Sequence, residues 1–293
     1  MLIVMSIYIG LDIGGTKIMV ASTDKNGTFL KRIKVDTPKS YDEGMELLHN
    51  LIKEVSGGVN ILGIGAAAGG PLDPEKGIIS PLHQEEWRNV PIKKIMEEKW
   101  HCPFYVDVDT NVAALGEYYL GGYQEKHFLY VTLSTGMGGG YLVDGKVYHG
   151  FSHPEVAHQC VDYHCSHPER IKCECGGGAC LEALVSGNGI KRIYKKNAEH
   201  LLNHEWKEVA YNLGMGLRNI AAILSPEIVV FGGGVALGRG QELLDRAEKY
   251  MKTGLKMVPA PKLKLSCLGY DTALKGACFI ATGEHIRKYV SFT

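Results

Sequence analysis

Three apolar runs of strand length each end in a cluster of glycines. The first, at 7–12, opens into Gly14-Gly15; the second, at 128–134, into Gly136 and Gly138-Gly139-Gly140; the third, at 228–231, into Gly232-Gly233-Gly234. Glycine weakens a strand and loses more backbone entropy on folding than any other residue, so such runs need a local reason. In open α/β sheets ligands gather at the carboxyl ends of strands, where backbone amides without side chains can approach a phosphate. The pattern therefore predicts an α/β chain with several anion cradles at strand ends. Gly is 37 of 293 residues, with no collagen period and no low-complexity tract, which fits use in turns.

Hydrophobic periodicity supports this reading. Strands are expected at 19–23, 31–35, 61–67 and 104–108, with a turn at Asp24-Lys25-Asn26-Gly27. Ser40-Tyr41-Asp42-Glu43 has the pattern of a capping box, and Met45, Leu48, Leu51, Ile52 and Val55 follow at helical spacing until Gly57-Gly58. Helices are expected at 91–100 and 110–120, and a hairpin about Asp144-Gly145. Residues 151–180 are polar, rich in His and Cys, and without clear periodicity. A long apolar stripe from Trp206 to Leu224 predicts a helix that stops at Ser225-Pro226. A helix near 241–251, a strand near 263–268 and a final helix near 273–287 complete the pattern. The glycine run at 136–140 reads as loop. Strands opening into Gly-Thr or Thr-Gly turns in both halves hint weakly at a duplication.

Composition excludes several classes. Hydrophobic residues are 45% and charged residues 22%, an ordinary globular balance that rules out wholesale disorder. Lys+Arg and Asp+Glu are 32 each, so no global attraction to nucleic acid or to an anionic membrane is expected. No apolar run reaches the roughly 18 residues of a membrane span. The apolar start at 1–10 has no basic n-region and runs into the first glycine turn, so it reads as a first strand rather than a signal peptide. The cytoplasm is the expected compartment. With no Pro/Ser-rich linker and no charge block, a domain boundary is expected in a packed hinge near 109–125. Of the 8 cysteines, Cys173, Cys175 and Cys180 fall in one short stretch, whereas Cys102, Cys267 and Cys278 are scattered in apolar surroundings. Clustered thiols in a cytosolic chain point to metal more than to disulfides.

Asp12-Ile13-Gly14-Gly15-Thr16-Lys17 reads equally as a phosphate loop or as a tight hairpin between two strands. It lacks Walker A spacing, and no G-x-G-x-x-G precedes a helix there. A second cradle at Ser134–Gly140 and a third at Phe231–Val235 favour phosphate over three unrelated loops.

Together with Cys173-Glu174-Cys175-Gly176-Gly177-Gly178-Ala179-Cys180-Leu181-Glu182, these motifs resemble those of the ROK sugar kinases over about 7–285. The cysteine segment looks like the family's C-x-C-G-x-x-G-C-x-E signature, with alanine at the last glycine. The resemblance implies a two-domain actin-like ATPase (ribonuclease H-like) α/β fold with a cleft between the domains. It places one domain at 1–112, joined by a C-terminal helix at about 273–293, and the other at 113–272 with a zinc-binding loop at 153–182. It implies ATP and Mg²⁺ at Asp12, Gly14, Gly15, Thr16, Lys17, Thr135, Gly136, Gly138, Gly232, Gly233 and Gly234. Asp109, in Asp107-Val108-Asp109-Thr110-Asn111, matches the catalytic aspartate, which would take the proton of a sugar hydroxyl. Helix capping by Asp109 or Thr110 is the structural alternative, and is compatible with catalysis.

Gly70, Glu155, His158 and Glu182 match sugar-contacting positions. His158, Cys173, Cys175 and Cys180 would form a closed structural Zn²⁺ site, with no open position for water. Cys160, Cys165, His164 and His167 are nearby and stay open as competing ligands. The implied activity is phosphoryl transfer from ATP to the 6-hydroxyl of a hexose, glucose first. The Asp-Val-Asp segment and His153-Pro154-Glu155 look like the fructokinase branch, so fructose comes next, with N-acetylmannosamine and N-acetylglucosamine. Sugar-responsive repressors of the family carry a DNA-binding domain before the kinase-like body, and the Asp12 loop lies too near the start of this sequence for one. A homodimer or homotetramer is implied, with no nucleic-acid or membrane partner.

Overall fold

The structure is a computed structural model that describes residues 6–82 and 84–286. In chain order the elements are β1 (Ser6–Ile13), β2 (Lys17–Thr23), β3 (Phe29–Asp36), α1 (Tyr41–Ser56), β4 (Asn60–Ala68), the short strands β5 (Leu72–Asp73) and β6 (Ile78–Ile79), α2 (Ile92–Trp100), β7 (Phe104–Val108) and α3 (Asp109–Leu120). Then come β8 (His127–Leu133), β9 (Met137–Val143), β10 (Lys146–Val147), α4 (Leu181–Val185), α5 (Gly187–Tyr194), α6 (Asn203–Leu224), β11 (Ile228–Gly232), α7 (Gly234–Arg239), α8 (Gln241–Thr253), β12 (Lys262–Leu265) and α9 (Thr272–Ala281). Residues 1–5 of the expected first strand and residue 287 of the expected final helix lie outside the described residues.

The described residues fall into two compact units, one running up to Gly122 and resuming at Asp271, the other Tyr123–Tyr270. The expected break at 112/113 lies inside α3, and this helix stays whole in the first unit. Each unit has a five-stranded sheet, in the order β3-β2-β1-β4-β7 and β10-β9-β8-β11-β12. In both, an antiparallel meander of three strands leads to two parallel strands beside the first. The duplication only hinted at by the turns is plain in this shared topology.

In the first unit, β1 turns Ile7, Ile9, Leu11 and Ile13 to a core shared with Leu48 and Ile52 of α1 and Phe104 of β7. The other face of the sheet meets α9 through glycines. A Cβ on Gly10 would lie 2.4 Å from Cys278 Sγ, on Gly63 2.3 Å from the Ala281 carbonyl oxygen, and on Gly65 2.1 Å from that of Ala277. Helices α3 and α9 also meet at glycines: a Cβ on Gly276 would come within 2.1 Å of the Val112 carbonyl. The chain's last described helix is thus held against its first strands by contacts that only hydrogen side chains permit. Alternation along β1 puts Asp12 on the Gly10 face. In the second unit Val131, Phe231, Leu213, Leu217, Leu244 and Met251 join β8, β11, α6 and α8 in one core. Among the described residues no helix is long and apolar enough to cross a membrane.

Three expectations change. Ser40 precedes α1, but its side chain makes no cap bond; the Tyr41 amide instead donates to the Glu86 carboxylate at 2.9 Å. The run Gly138-Gly139-Gly140 is not loop but part of β9, opposite Thr132, Val131 and Tyr130 of β8. Ladder hydrogen bonds outweigh the entropy cost of the glycines, and a Cβ on Gly139 would lie 2.6 Å from Val156 Cγ2, so absence of a side chain there makes room for the loop above. Helices α4 and α5 are too short to register as a 3.6-residue period.

The glycine seam gives a direct stability test. Gly276→Ala should lower thermal stability by about 1–3 kcal/mol through overpacking. Gly238→Ala, in α7 with nothing within 4 Å of the added carbon, should be neutral or slightly stabilising. Thermal unfolding of the two variants in parallel checks both.

Candidate active site

In the first unit the site begins where β1 ends. Asp12 leads into the turn at Gly14-Gly15-Thr16, and β2 starts at Lys17. The hairpin half of the sequence reading holds here: the Gly14 amide donates to the Lys17 carbonyl at 3.0 Å. Thr37, just after β3, braces the turn, its hydroxyl donating to the Gly14 carbonyl at 2.7 Å and its amide to that of Thr16 at 3.1 Å. Sequence reading missed Thr37, which reaches the turn only through the β2–β3 pairing. Lys17 is exposed and pairs with Asp36.

Asp109 is the first residue of α3, with Val108 at the N-cap position, so it does not cap the helix. It is exposed, and one carboxylate oxygen accepts the Thr110 amide at 2.7 Å. Behind it, buried Asp107 accepts from the Asn111 side-chain amide at 2.9 Å and from the Val108 amide at 2.7 Å. This fixes the strand-to-helix turn. Gly70 borders it: a Cβ there would lie 3.7 Å from Val108 Cγ2. The Gly70 loop is stitched down by Leu82 N–H on the Gly70 carbonyl at 3.1 Å and Ser80 N–H on that of Pro71 at 2.9 Å.

Asp12 and Asp109 are close enough to feel each other's charge. Burial, then repulsion from Asp109, push the Asp12 carboxyl up to about 7, with Lys34 pulling weakly the other way. A partly buried carboxyl beside a second carboxylate, only partly offset by Lys34, is the donor chemistry a hard divalent cation satisfies.

In the second unit Ser134-Thr135-Gly136 forms the turn between β8 and β9. It is tied to the start of α5: the Gly187 amide donates to the Ser134 carbonyl at 2.7 Å, and the Asn188 amide to that of Thr135 at 2.9 Å. Ser186 caps α5, its hydroxyl accepting the Gly189 amide at 3.1 Å. A cavity of about 730 Å³ opens beside this turn, lined also by Lys191, Glu199, Arg239 and Tyr270. Gly234 reaches the cavity as the first residue of α7, and Gly233 supports the bend with φ +88°. Gly232 closes β11 and lies against the Tyr130 hydroxyl, where a Cβ would be 2.1 Å away. Gly138 lies in β9 rather than in the turn. The sequence reading did not find Asn188, Lys191, Glu199, Arg239 or Tyr270. The only signal for the first of these was the Ser186-Gly187-Asn188-Gly189 segment.

The loop between β10 and α4 brings the four expected ligands together. His158, Cys173, Cys175 and Cys180 have ligand atoms all within 4.8 Å of one another. His158 faces the thiols with Nδ1, 3.4 Å from Cys173 Sγ; Cys175 Sγ lies 3.2 Å from Cys173 Sγ and 3.4 Å from Cys180 Sγ. The hydrogen bond shared with Cys173 and the one from the Gly177 amide pull Cys175 down to about 7, while burial pushes Cys173 and Cys180 up. Three thiols and one imidazole at these separations fit a tetrahedral metal ion. The open alternatives have other partners, Cys160 beside the cluster and the rest farther along the chain. His164 stacks on Tyr211 with centroids 3.7 Å apart, Cys160 donates to the Gly177 carbonyl at 3.6 Å, and His167 sits 3.8 Å from Glu169. Cys165 packs against the core of the second unit.

Glu182 links this cluster to the glycine turn. Its Oε2 is 3.5 Å from His158 Nε2, and a Cβ on Gly136 would lie 2.9 Å from its Oε1. Glu155 lies on the same side of the ring, 4.0 Å from Nε2. Nδ1 therefore serves the cluster, and Nε2 faces carboxylates.

Known proteins share this architecture. The ROK family model matches residues 8–284. The glucokinase of Halalkalibacterium halodurans is 30% identical over 312 residues, covering 92% of this chain and 93% of its own. The fructokinase of Zymomonas mobilis is 32% identical over 242 residues, covering 78% of this chain and 80% of its own. A ROK family glucokinase from Streptomyces griseus, solved in complex with glucose and AMPPNP, matches with TM-score 0.78 at 26% identity, covering 94% of this chain and 99% of that one. The fold is the two-domain actin-like ATPase fold, each domain built on the same sheet order. By a family match across almost its whole length and by relatives at 30–32% identity, the chain belongs to the ROK family.

Proposed function

We propose that this protein is an ATP-dependent hexose kinase that transfers the γ-phosphoryl group to the 6-hydroxyl of glucose. The observation that carries the reading is Asp109: a carboxylate at the start of α3, oriented by the Thr110 amide and seated on the rigid Asp107–Asn111 turn. A base held in this way can accept the proton of an attacking hydroxyl, and such assistance is worth roughly 10²–10⁴ in rate. Family membership and the glucokinase and fructokinase relatives support the reaction class.

Roles divide between the units. In the first, the braced turn offers the backbone amides that follow Gly14 and the Thr16 hydroxyl to phosphate, and Gly70 presents backbone without a side chain beside the sugar. In the second, Thr135 and Gly136 offer a further phosphate turn, and the cavity with Gly234, Lys191 and Tyr270 takes the rest of the nucleotide. Glu155, His158 Nε2 and Glu182 hold sugar hydroxyls; a site that pairs with these hydroxyls rejects analogues lacking them. Mg²⁺, held beside Asp12, would neutralise charge on the phosphates. Zn²⁺ on His158, Cys173, Cys175 and Cys180 would fix a loop with little core of its own, and so aim the imidazole. The protein acts in the cytoplasm as a homodimer or homotetramer. Fructose is the second reading, favoured by Asp107-Val108-Asp109-Thr110-Asn111 and by the fructokinase relative.

Asp109→Asn tests the proposal. It should bind sugar as the wild type does and lose about 10²–10⁴ of kcat in a coupled assay over a panel of glucose, fructose and N-acetylhexosamines. Undiminished turnover would refute the role of Asp109, and fructose outpacing glucose would select the second reading.

The metal cluster predicts that purified protein carries zinc, and that Cys175→Ala loses it together with about 10–100-fold in sugar kcat/KM. Elemental analysis beside sugar kinetics checks this.

Asp12 predicts a pH effect on stability. Its folded pKa of about 7 lies above the unfolded value near 3.9, so its contribution favours folding below about pH 4. That contribution is lost as pH rises through 7. Without ligands, Asp12→Asn should therefore unfold at a higher temperature than wild type at pH 8 and at nearly the same temperature below pH 4. A constant difference across the range would contradict the raised pKa.

A further inference from the structure

The four-ligand cluster leaves one neighbouring thiol unused. Cys160 is exposed, and its backbone pairs with that of Cys180 in an isolated antiparallel bridge. The flanking hydrogen bond runs from the Leu181 amide to the Gln159 carbonyl at 2.9 Å, one residue outside the pair on each strand. Cys160 and Cys180 are therefore a non-hydrogen-bonded pair. In such a pair the Cα atoms stand about 4.5 Å apart and the side chains leave on the same side. A disulfide needs Cα atoms about 4.4–6.8 Å apart, so the backbone already meets the requirement.

The sulfurs are held apart by Gly177. Its carbonyl accepts the Cys160 thiol at 3.6 Å, and the position of its missing Cβ is 2.8 Å from Cys180 Sγ. Side chains of such a pair leave on the same side, so rotation of the Cys160 side chain off the Gly177 carbonyl turns its sulfur toward that of Cys180.

We infer that Cys160 and Cys180 form a peroxide-sensitive disulfide pair that withdraws Cys180 from the Cys/His cluster. The exposed Cys160 thiol attacks hydrogen peroxide, giving a sulfenic acid and one water. The Cys180 sulfur then attacks the sulfenyl sulfur. The S–S bond forms as the S–O bond breaks, and the departing hydroxide takes up the Cys180 thiol proton or, where that sulfur is a thiolate ligand, a proton from solvent. Two thiols lose two electrons in all, and one peroxide becomes two waters. Cys160 takes no part in sugar or nucleotide binding, so the reduced protein is indifferent to its identity. The consequence for activity rests on the reading of the cluster as a metal site; the bond itself does not.

The test treats the full-length protein with hydrogen peroxide, alkylates it, digests it without reduction and maps the peptides by mass spectrometry. Zinc release is followed with a chromogenic chelator. Wild type should yield a Cys160–Cys180 peptide pair that dithiothreitol removes, and should release zinc as the pair forms. Cys160→Ser, fully active before treatment, should show neither, while Cys267→Ser, which removes another exposed thiol, should behave as wild type. A cross-link confined to Cys173, Cys175 and Cys180, or equal zinc loss in wild type and Cys160→Ser, would overturn the inference. Protein that holds no zinc yet forms the Cys160–Cys180 bond would uphold the pair and reject the metal reading.

Discussion

Burial of the Asp12 carboxyl, with Asp109 as a second carboxylate nearby, sets the electrostatics at the strand ends of the first unit. Each carboxylate sits at the carboxyl end of a parallel strand, Asp12 in the last turn of β1 and Asp109 just past β7. Burial and the second charge together hold the Asp12 carboxyl near neutrality, so the resting protein stores an electrostatic cost. A cation beside Asp12 would relieve that cost. The surrounding structure serves this arrangement. Asn111 clamps Asp107, Thr37 braces the glycine turn, and the glycine faces of β1 and β4 seat α9 against the sheet.

The second unit solves a different problem. The stretch from 151 to 180 is mostly polar and contributes few residues to the core, so it needs another source of order. His158, Cys173, Cys175 and Cys180 converge within it, and a metal ion held there would supply it. Glu182 carries that order outward, touching the imidazole with one oxygen and approaching Gly136 with the other. Glu182 thus connects the thiol cluster to the turn between β8 and β9 through direct neighbours.

What could be read from the sequence was what is local. Strand-end glycines, the Asp107–Asn111 segment and the Cys-x-Cys stretch are contiguous, and their chemistry depends on residues within a few positions. The Asp12 turn and the three clustered cysteines were legible for that reason, whereas His158, fifteen residues before Cys173, was reached through the family resemblance. Gly138-Gly139-Gly140 misled because a glycine run says nothing about whether a partner strand will pair with it, and β8 does. Ser40 misled because its capping role was lost to Glu86, more than forty residues away. Thr37, Lys191, Arg239 and Tyr270 reach their sites only through sheet pairing or helix packing, so no window of sequence contains the signal. The shared sheet order of the two units left only a weak trace, the Gly-Thr and Thr-Gly turns, since it lies in topology rather than in residues.

The central claim is phosphoryl transfer to a carbohydrate alcohol. It is tested most directly by identifying the product by NMR after incubation with ATP, Mg²⁺ and glucose labelled with ¹³C at carbon 6. The account predicts that the carbon 6 resonance becomes split by phosphorus and that ADP accumulates in equal amount. Inorganic phosphate released from ATP, with the carbon 6 resonance unchanged, would contradict it.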